Sequence, residues 1–161
     1  MTEPIKQEVE NAHAAGKYLT FVLAGEEYGI GILKVQEIIG FQPITPVPGV
    51  GEYIDGVFNL RGKIIPVIDL RVKFGMSRQE RTRETCIIVV ESRDLRVGLV
   101  VDSVSEVRDV KSEELESMPN LGFEVESEYF FGICKANGKV RFLLDIDRVL
   151  ATDDVLALRR L

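Results

Sequence analysis

Tryptophan is absent from the 161 residues, histidine occurs once and cysteine twice. The one histidine, His13, stands in a polar opening stretch, so no Ser/His/Asp or Cys/His constellation can be assembled around it. Cys86 and Cys134 form no CxxC pair and lie in apolar, strand-like surroundings (TCIIVV and FGICKA), where a free thiol behaves as a small core hydrophobe. No ligand spacing suits zinc, and Gly29, Gly31, Gly49 and Gly51 belong to no GxGxxG or GK[ST] loop, so neither a metal nor a nucleotide cofactor is expected. Basic residues are not in excess. Twenty Lys and Arg against 26 Asp and Glu give a net charge of -6, which offers a phosphate backbone no electrostatic grip and argues against nucleic acid. Uninterrupted apolar runs reach only about four to six residues, far below the ~20 that span a bilayer. The opening MTEPIKQEVENAHAAGK shows no basic-then-apolar signal pattern, so a cytoplasmic location without disulfides is the expectation.

What the chain does have is short alternating β-like runs separated by turns. Residues 1–16 read as a loose tail; from Tyr18 come YLTFVLAG, EEYGI and VQEIIGF, a proline-stiffened bend PITPVPGVG, then GVFNLRG and KIIPVIDL. Asp69 is placed to cap a short helix, and the charged segment RVKFGMSRQERTRET that follows marks an internal boundary. Alternation then resumes with TCIIVVE, LRVGLVVD, SVSEVRDV, FFGICKANG and KVRFLLDID. Between SVSEVRDV and FFGICKANG lies SEELESMPNLGFEVESEY, where Ser112 followed by Glu113, Glu114 and Glu116 suits a helix start. Adjacent carboxylates at Glu26-Glu27 and Asp153-Asp154 fit turns and caps better than acid/base catalysis.

The second half repeats the first. Gly56, Gly62, Lys63 and Asp69 match Gly132, Gly138, Lys139 and Asp145 at one offset of 76, and Gly29 and Glu37 match Gly98 and Glu106 at an offset of 69. Two similar small β-barrels packed face to face are expected, over about residues 17–80 and 84–151, forming one domain (17–161) that ends in a C-terminal helix; a single larger β-sandwich is the alternative. The repeat isolates one residue. Arg61, beside the turn glycine of NLRGKIIPVIDL, is matched by Asn137, so the turn itself does not demand arginine. Glu37, flanked by Val35, Ile38 and Ile39, carries the opposite charge and could pair with Arg61 inside an apolar rim. The bland alternative is a solvated arginine with its stem on apolar surface.

Five motifs in order, EEYGIGILKVQEII, the proline bend, IDGVFNLRGKIIPVIDLRVKFG, VGLVVDSVSEV and GICKANGKVRFLLDIDRVL, resemble the CheW-like family of chemotaxis coupling proteins over about residues 17–151. The chain length is similar to that of the stand-alone coupling protein rather than the longer kinase CheA or the receiver-bearing CheV. The resemblance implies two SH3-like five-stranded barrels around a shared hydrophobic interface, no catalysis and no cofactor. It further implies an adaptor between chemoreceptor tips and the regulatory domain of the histidine kinase CheA, recruited to receptor arrays at the inner face of the membrane without inserting into it. Carried over by position, Val35, Glu37, Arg61 and Ile87 would face the receptor, whereas Ile32, Leu115, Met118 and Leu121 would face the kinase. For the segment from Leu115 to Leu121 a helix cap with a core-covering loop is the alternative. Ring assembly with the kinase or with other copies stays open. So do a scaffold in a non-motility pathway and a small-molecule or redox-sensing barrel that uses the cysteines.

Overall fold

The computed structural model of the chain describes residues 15–116, 129–151 and 158. Residues 1–14 of the expected tail, most of the expected C-terminal helix, Met118 and Leu121 lie outside the described residues, and the tail gives way at Gly16 to the first strand. In chain order the elements are β1 (Gly16–Leu23), β2 (Glu26–Gly31), a 3-10 turn at Ile32–Lys34, β3 (Val35–Gly40), β4 (Ile54–Leu60), β5 (Lys63–Asp69) and the one-turn helix α1 (Leu70–Lys73). There follow β6 (Cys86–Ser92), β7 (Leu95–Val101), β8 (Ser103–Val110), a 3-10 turn at Ser112–Glu114, β9 (Leu115–Glu116), β10 (Phe130–Ala136), β11 (Lys139–Leu144) and α2 (Ile146–Val149).

The fold is mainly β, in two sheets of order β3-β6-β7-β5-β4 and β8-β1-β2-β11-β10-β9. Each sheet takes strands from both halves of the sequence. The boundary expected near residues 80–84 therefore divides the repeats and not the sheets. The exchange is made by two parallel pairings in matching register: Val67 of β5 lies opposite Gly98 of β7, and Leu143 of β11 lies opposite Gly29 of β2. Close approach explains both glycines. A Cβ on Gly98 would stand 2.8 Å from Ile87 Cγ2, and one on Gly29 would stand 3.1 Å from Leu143 Cδ2.

Period-two alternation sends each strand's two faces to different cores. On β1, Leu19, Phe21 and Leu23 enter the layer between the sheets, where they meet Ile68, Ile88, Val97 and Leu99, while Tyr18 turns into the concave side of its own sheet with Val110, Cys134 and Leu143. The other sheet has its own concave core of Phe58, Ile65, Val67, Ile87, Val89 and Val100. Strands buried on both sides read as continuous apolar runs, as β7 does. The five-stranded sheet packs in the SH3-like manner, and Thr45 of the proline bend bridges Val57 on its β4 edge through bonds of 2.8 and 2.9 Å.

The repeated aspartates cap as expected: Asp69 accepts from Arg71 N at 3.0 Å and Asp145 from Arg148 N at 3.3 Å. The helix expected after Ser112 is a single 3-10 turn with Lys111 at its N-cap position. Glu114 closes it, accepting from Lys111 N at 2.9 Å, and β9 begins at once.

Candidate functional site

The hairpin joining β4 to β5 turns on Arg61 and Gly62, whose φ values of 48° and 86° make it a two-residue turn left-handed at both central positions. Asn59 holds the turn by accepting from Gly62 N at 2.7 Å. This geometry throws the Arg61 side chain off the end of the hairpin toward β3, the strand at the opposite edge of the same sheet. There the register of β3 on β6 shifts between Val35 and Glu37, a bulge that re-aims Glu37 toward the hairpin.

Arg61 and Glu37 meet in a two-pronged pair, Nη1 to Oε1 at 3.0 Å and Nη2 to Oε2 at 2.6 Å. The hydrogen bonds from Arg61 hold the Glu37 carboxyl below its ordinary range, with Arg96 adding to the effect, and the same pairing pushes the guanidinium up. Arg61 is 71 % exposed, so the pair is a fixed surface feature and not a buried lock. Gln36 extends the row of polar contacts by donating to Glu91 on β6.

On β3, Val35 is half-buried against the inter-sheet core and Ile38 is exposed, and on β5 Ile64 stands 58 % exposed two residues beyond the turn glycine. Ile87 is 0 % exposed. It lies beside Ile39 of β3 in the same sheet and packs with Phe58, Ile65 and Val67 in the concave core, so it offers no contact of its own. Ile64 was not among the residues expected here. The signal was available in the register, because Ile65 and Val67 fill the concave core and Ile64 must therefore point the other way.

The second group of expected residues is dispersed. Ile32 is half-buried in the 3-10 turn and packs on the inter-sheet core, while its neighbour Leu33 is 97 % exposed. Both line a cleft of about 670 Å³ together with Tyr18, Phe131, Leu144 and Ile146. Leu115 is buried inside the concave core of the six-stranded sheet, on the strand β9 that pairs with β10.

The cysteines stand in different sheets, Cys86 on β6 and Cys134 on β10. Cys134 is buried, and burial pushes its thiol up, opposite to what a reactive thiolate needs. Among the described residues, no group of three or more His, Cys, Asp and Glu could hold a metal ion, and no helix is long and apolar enough to cross a membrane. What β3 and the hairpin present is a charge pair of fixed geometry together with exposed apolar side chains at Ile38 and Ile64, chemistry suited to recognition of another protein.

Comparison with known proteins gives a consistent result. The family profile for the CheW-like domain matches residues 17–154. The chemotaxis protein CheW of Klebsiella aerogenes is 38 % identical over 139 residues, which span 86 % of this chain and 84 % of that protein. The chemotaxis protein CheW of Bacillus subtilis is 38 % identical over 135 residues, covering 83 % and 86 % respectively. Among solved structures, the scaffolding protein TtCheW from Thermoanaerobacter tengcongensis superposes with a TM-score of 0.79 at 34 % identity, over 87 % of this chain and 95 % of that one. Sequence, length and sheet architecture thus agree, and the chain is a member of the CheW-like family, the non-catalytic scaffold adaptors of chemotaxis signalling.

Proposed function

We propose that this chain couples the cytoplasmic tips of chemoreceptors to the regulatory domain of the histidine kinase CheA, bringing kinase activity under receptor control within arrays at the inner face of the membrane. The observation that carries the proposal is the Arg61–Glu37 pair. The repeat makes the same turn with Asn137, so the arginine is surplus to folding, yet it is aimed and held by two hydrogen bonds. A planar guanidinium on a hairpin that exposes Ile64, paired to a strand that exposes Ile38, suits an amphipathic helical hairpin with one polar group to be oriented. Glu37 and Arg61 would set the docking register, Val35 would supply apolar contact, and Ile87 would hold the neighbouring strand in the concave core.

The kinase contact would use the surface around Ile32, with buried Leu115 holding β9 in place and the segment through Met118 and Leu121 adding a second contact. Each interface would be modest, with the array supplying avidity. The test is a titration of the purified chain and its Arg61→Asn variant against two targets, a receptor cytoplasmic fragment and the isolated regulatory domain of the cognate kinase. The unaltered chain should bind both, and the variant should lose only the receptor. A chain that binds neither at low salt and high concentration ends the coupling proposal.

A further inference from the structure

Strand β8 is the second unit's counterpart of β3, and the two differ in what holds the glutamate they share. Glu37 of β3 is claimed by Arg61 through two hydrogen bonds. In the second unit Asn137 stands where Arg61 does, and the Glu106 side chain is 61 % exposed. Its ion-pair partner among the described residues is Arg108, at 3.7 Å and beyond hydrogen-bond reach. Between them Val107, the counterpart of Ile38, is 53 % exposed.

β8 ends its sheet, and among the described strands it pairs with β1 alone. Thr20 Oγ1 donates to Glu106 O at 2.9 Å and accepts from Glu106 N at 3.1 Å, so the peptide groups of Glu106 turn toward β1. Asp102 N donates to Val22 O at 3.1 Å, in agreement with that parity, since Val22 is in step with Thr20. Successive residues of a strand turn their N–H and C=O to opposite sides, so those of Val107 turn to the outer edge. The register irregularity opposite Thr20 ends before Val107, which lies opposite Leu19.

An edge that presents an unpaired N–H and C=O beside an exposed valine is a template for a further strand. The side chains around Val107 select which one. Read antiparallel, Glu106-Val107-Arg108 is complementary to itself: with Val107 opposite Val107 of a second copy, Glu106 of each copy lies opposite Arg108 of the other. A two-fold axis moved by one residue either way would set Glu106 against Glu106 or Arg108 against Arg108, which fixes the register. The matching residues of β3, Glu37-Ile38-Ile39, supply no cation for such a pairing.

We infer that β8 is a self-recognition edge, through which two copies of this chain pair antiparallel about Val107 with Glu106 and Arg108 as reciprocal charge contacts. The contact is two-fold and closes on itself at two copies. It goes beyond the coupling role and uses none of the residues proposed above for receptor or kinase. A single strand pair is a small interface, so the association is weak and matters where copies are concentrated.

The test is sedimentation velocity of the full chain at low salt and at up to about 0.5 mM, where a weak pair is populated. The variants are Glu106→Arg, Val107→Pro and Arg108→Glu, with melting temperatures measured in parallel. The unaltered chain should show a reversible monomer–dimer equilibrium. Glu106→Arg places like charges at both contacts and should weaken it by about tenfold or more. Proline at position 107 removes an N–H that the fold leaves to the edge, so Val107→Pro should melt near the unaltered chain and stay monomeric. Glu106→Arg mixed with Arg108→Glu restores opposite charges only between unlike chains, so the mixture should dimerise more readily than either variant alone. Arg108 has only 21 % of its side chain exposed, and should Arg108→Glu melt early, the first two variants carry the test. An unaltered chain that stays monomeric throughout overturns the proposal. So does a dimer that Glu106→Arg and Val107→Pro both leave intact. A sharply lowered melting temperature in Val107→Pro would show its N–H bound within the fold and overturn the pairing about Val107.

Discussion

Arg61 and Asn137 occupy the same position in two copies of one hairpin, and both hold a left-handed backbone, with φ of 48° and 53°. Asparagine is among the few non-glycine residues that enter this region readily, and the Asn137-Gly138 turn is the preferred chemistry for a two-residue hairpin. Arginine is not. A residue that opposes its local geometry while forming a well-aimed pair on the surface is where a functional demand has overridden a folding preference.

Arg61→Asn should therefore separate the two demands. Its melting temperature is expected to equal or exceed that of the unaltered chain, while binding to a receptor cytoplasmic fragment falls by about tenfold or more. Arg61→Lys should lie between, since an ammonium keeps the charge and loses the two-pronged geometry. A fall in melting temperature for Arg61→Asn would show that the arginine serves the fold.

Three glycines should tolerate alanine to very different degrees. At Gly56 the new Cβ would lie 2.0 Å from Thr45 O, so the bridge that holds the proline bend must break, at about 3 kcal/mol or more. At Gly98 the clash is with side chains, Ile87 Cγ2 at 2.8 Å and Phe58 Cε1 at 3.4 Å, and about 1–3 kcal/mol is expected. Gly62 has open space and a positive φ, so only backbone strain of about 1 kcal/mol remains. Urea unfolding of the three variants should give that order.

The segment of residues 76–82, whose Arg78 and Arg81 pair with Asp55 and Asp69, should matter to stability although it has no regular structure. Those carboxylates have side chains only 6 % and 1 % exposed, and removing both arginines with Arg78→Gln and Arg81→Gln leaves two buried negative charges facing each other. A loss of about 2–4 kcal/mol is expected, toward the lower side for a broken buried pair because the guanidiniums reach solvent. Denaturant midpoints of the double variant measure it.

Acid should loosen the joint between the units in a definite window. Burial alone would raise the Asp102 carboxyl, but Arg71 donates to it at 2.7 and 2.6 Å and Ala24 N at 2.9 Å, and the net shift is downward. A carboxyl lowered in the folded state contributes stability above its unfolded value, and that contribution is lost as pH falls below about 4 through the folded value. Asp147, held by Ser92 and Lys34, acts in the same direction. In Asp102→Asn the decline of the urea midpoint between about pH 4 and pH 2 should be shallower than in the unaltered chain.

Thiol chemistry gives a further check. Cys134 is fully buried with its thiol pushed up, so it should react with an aromatic disulfide reagent only as fast as the sheet opens, and the half-buried Cys86 should react first. Rapid labelling of Cys134 in the native state would show a mobile six-stranded sheet.

The sequence made the repeat legible because glycines at left-handed positions and aspartates at caps are fixed by backbone geometry, which leaves a one-letter trace. The pairing of Glu37 with Arg61 was legible as opposite charges in an apolar setting. The exchange of strands between halves was not, since the parallel contacts of β5 with β7 and of β11 with β2 join residues far apart in the chain, and local alternation is indifferent to which strand lies alongside. Burial at Ile87 was hidden for a related reason. IIVV is apolar at every position, and only the neighbours of β6 on both faces decide that none of it reaches solvent.

The interleaved sheets also dictate an order of assembly as the chain is synthesised. The five-stranded sheet has all its strands once Val101 has emerged, and it can close while later residues are still being made. The hairpin of β1 and β2 cannot finish its own sheet until residues 139–144 arrive to pair with β2. For most of translation Phe21, Leu23 and Ile30 can therefore cover only half of their final layer, the interval in which such a chain most needs protection from its neighbours.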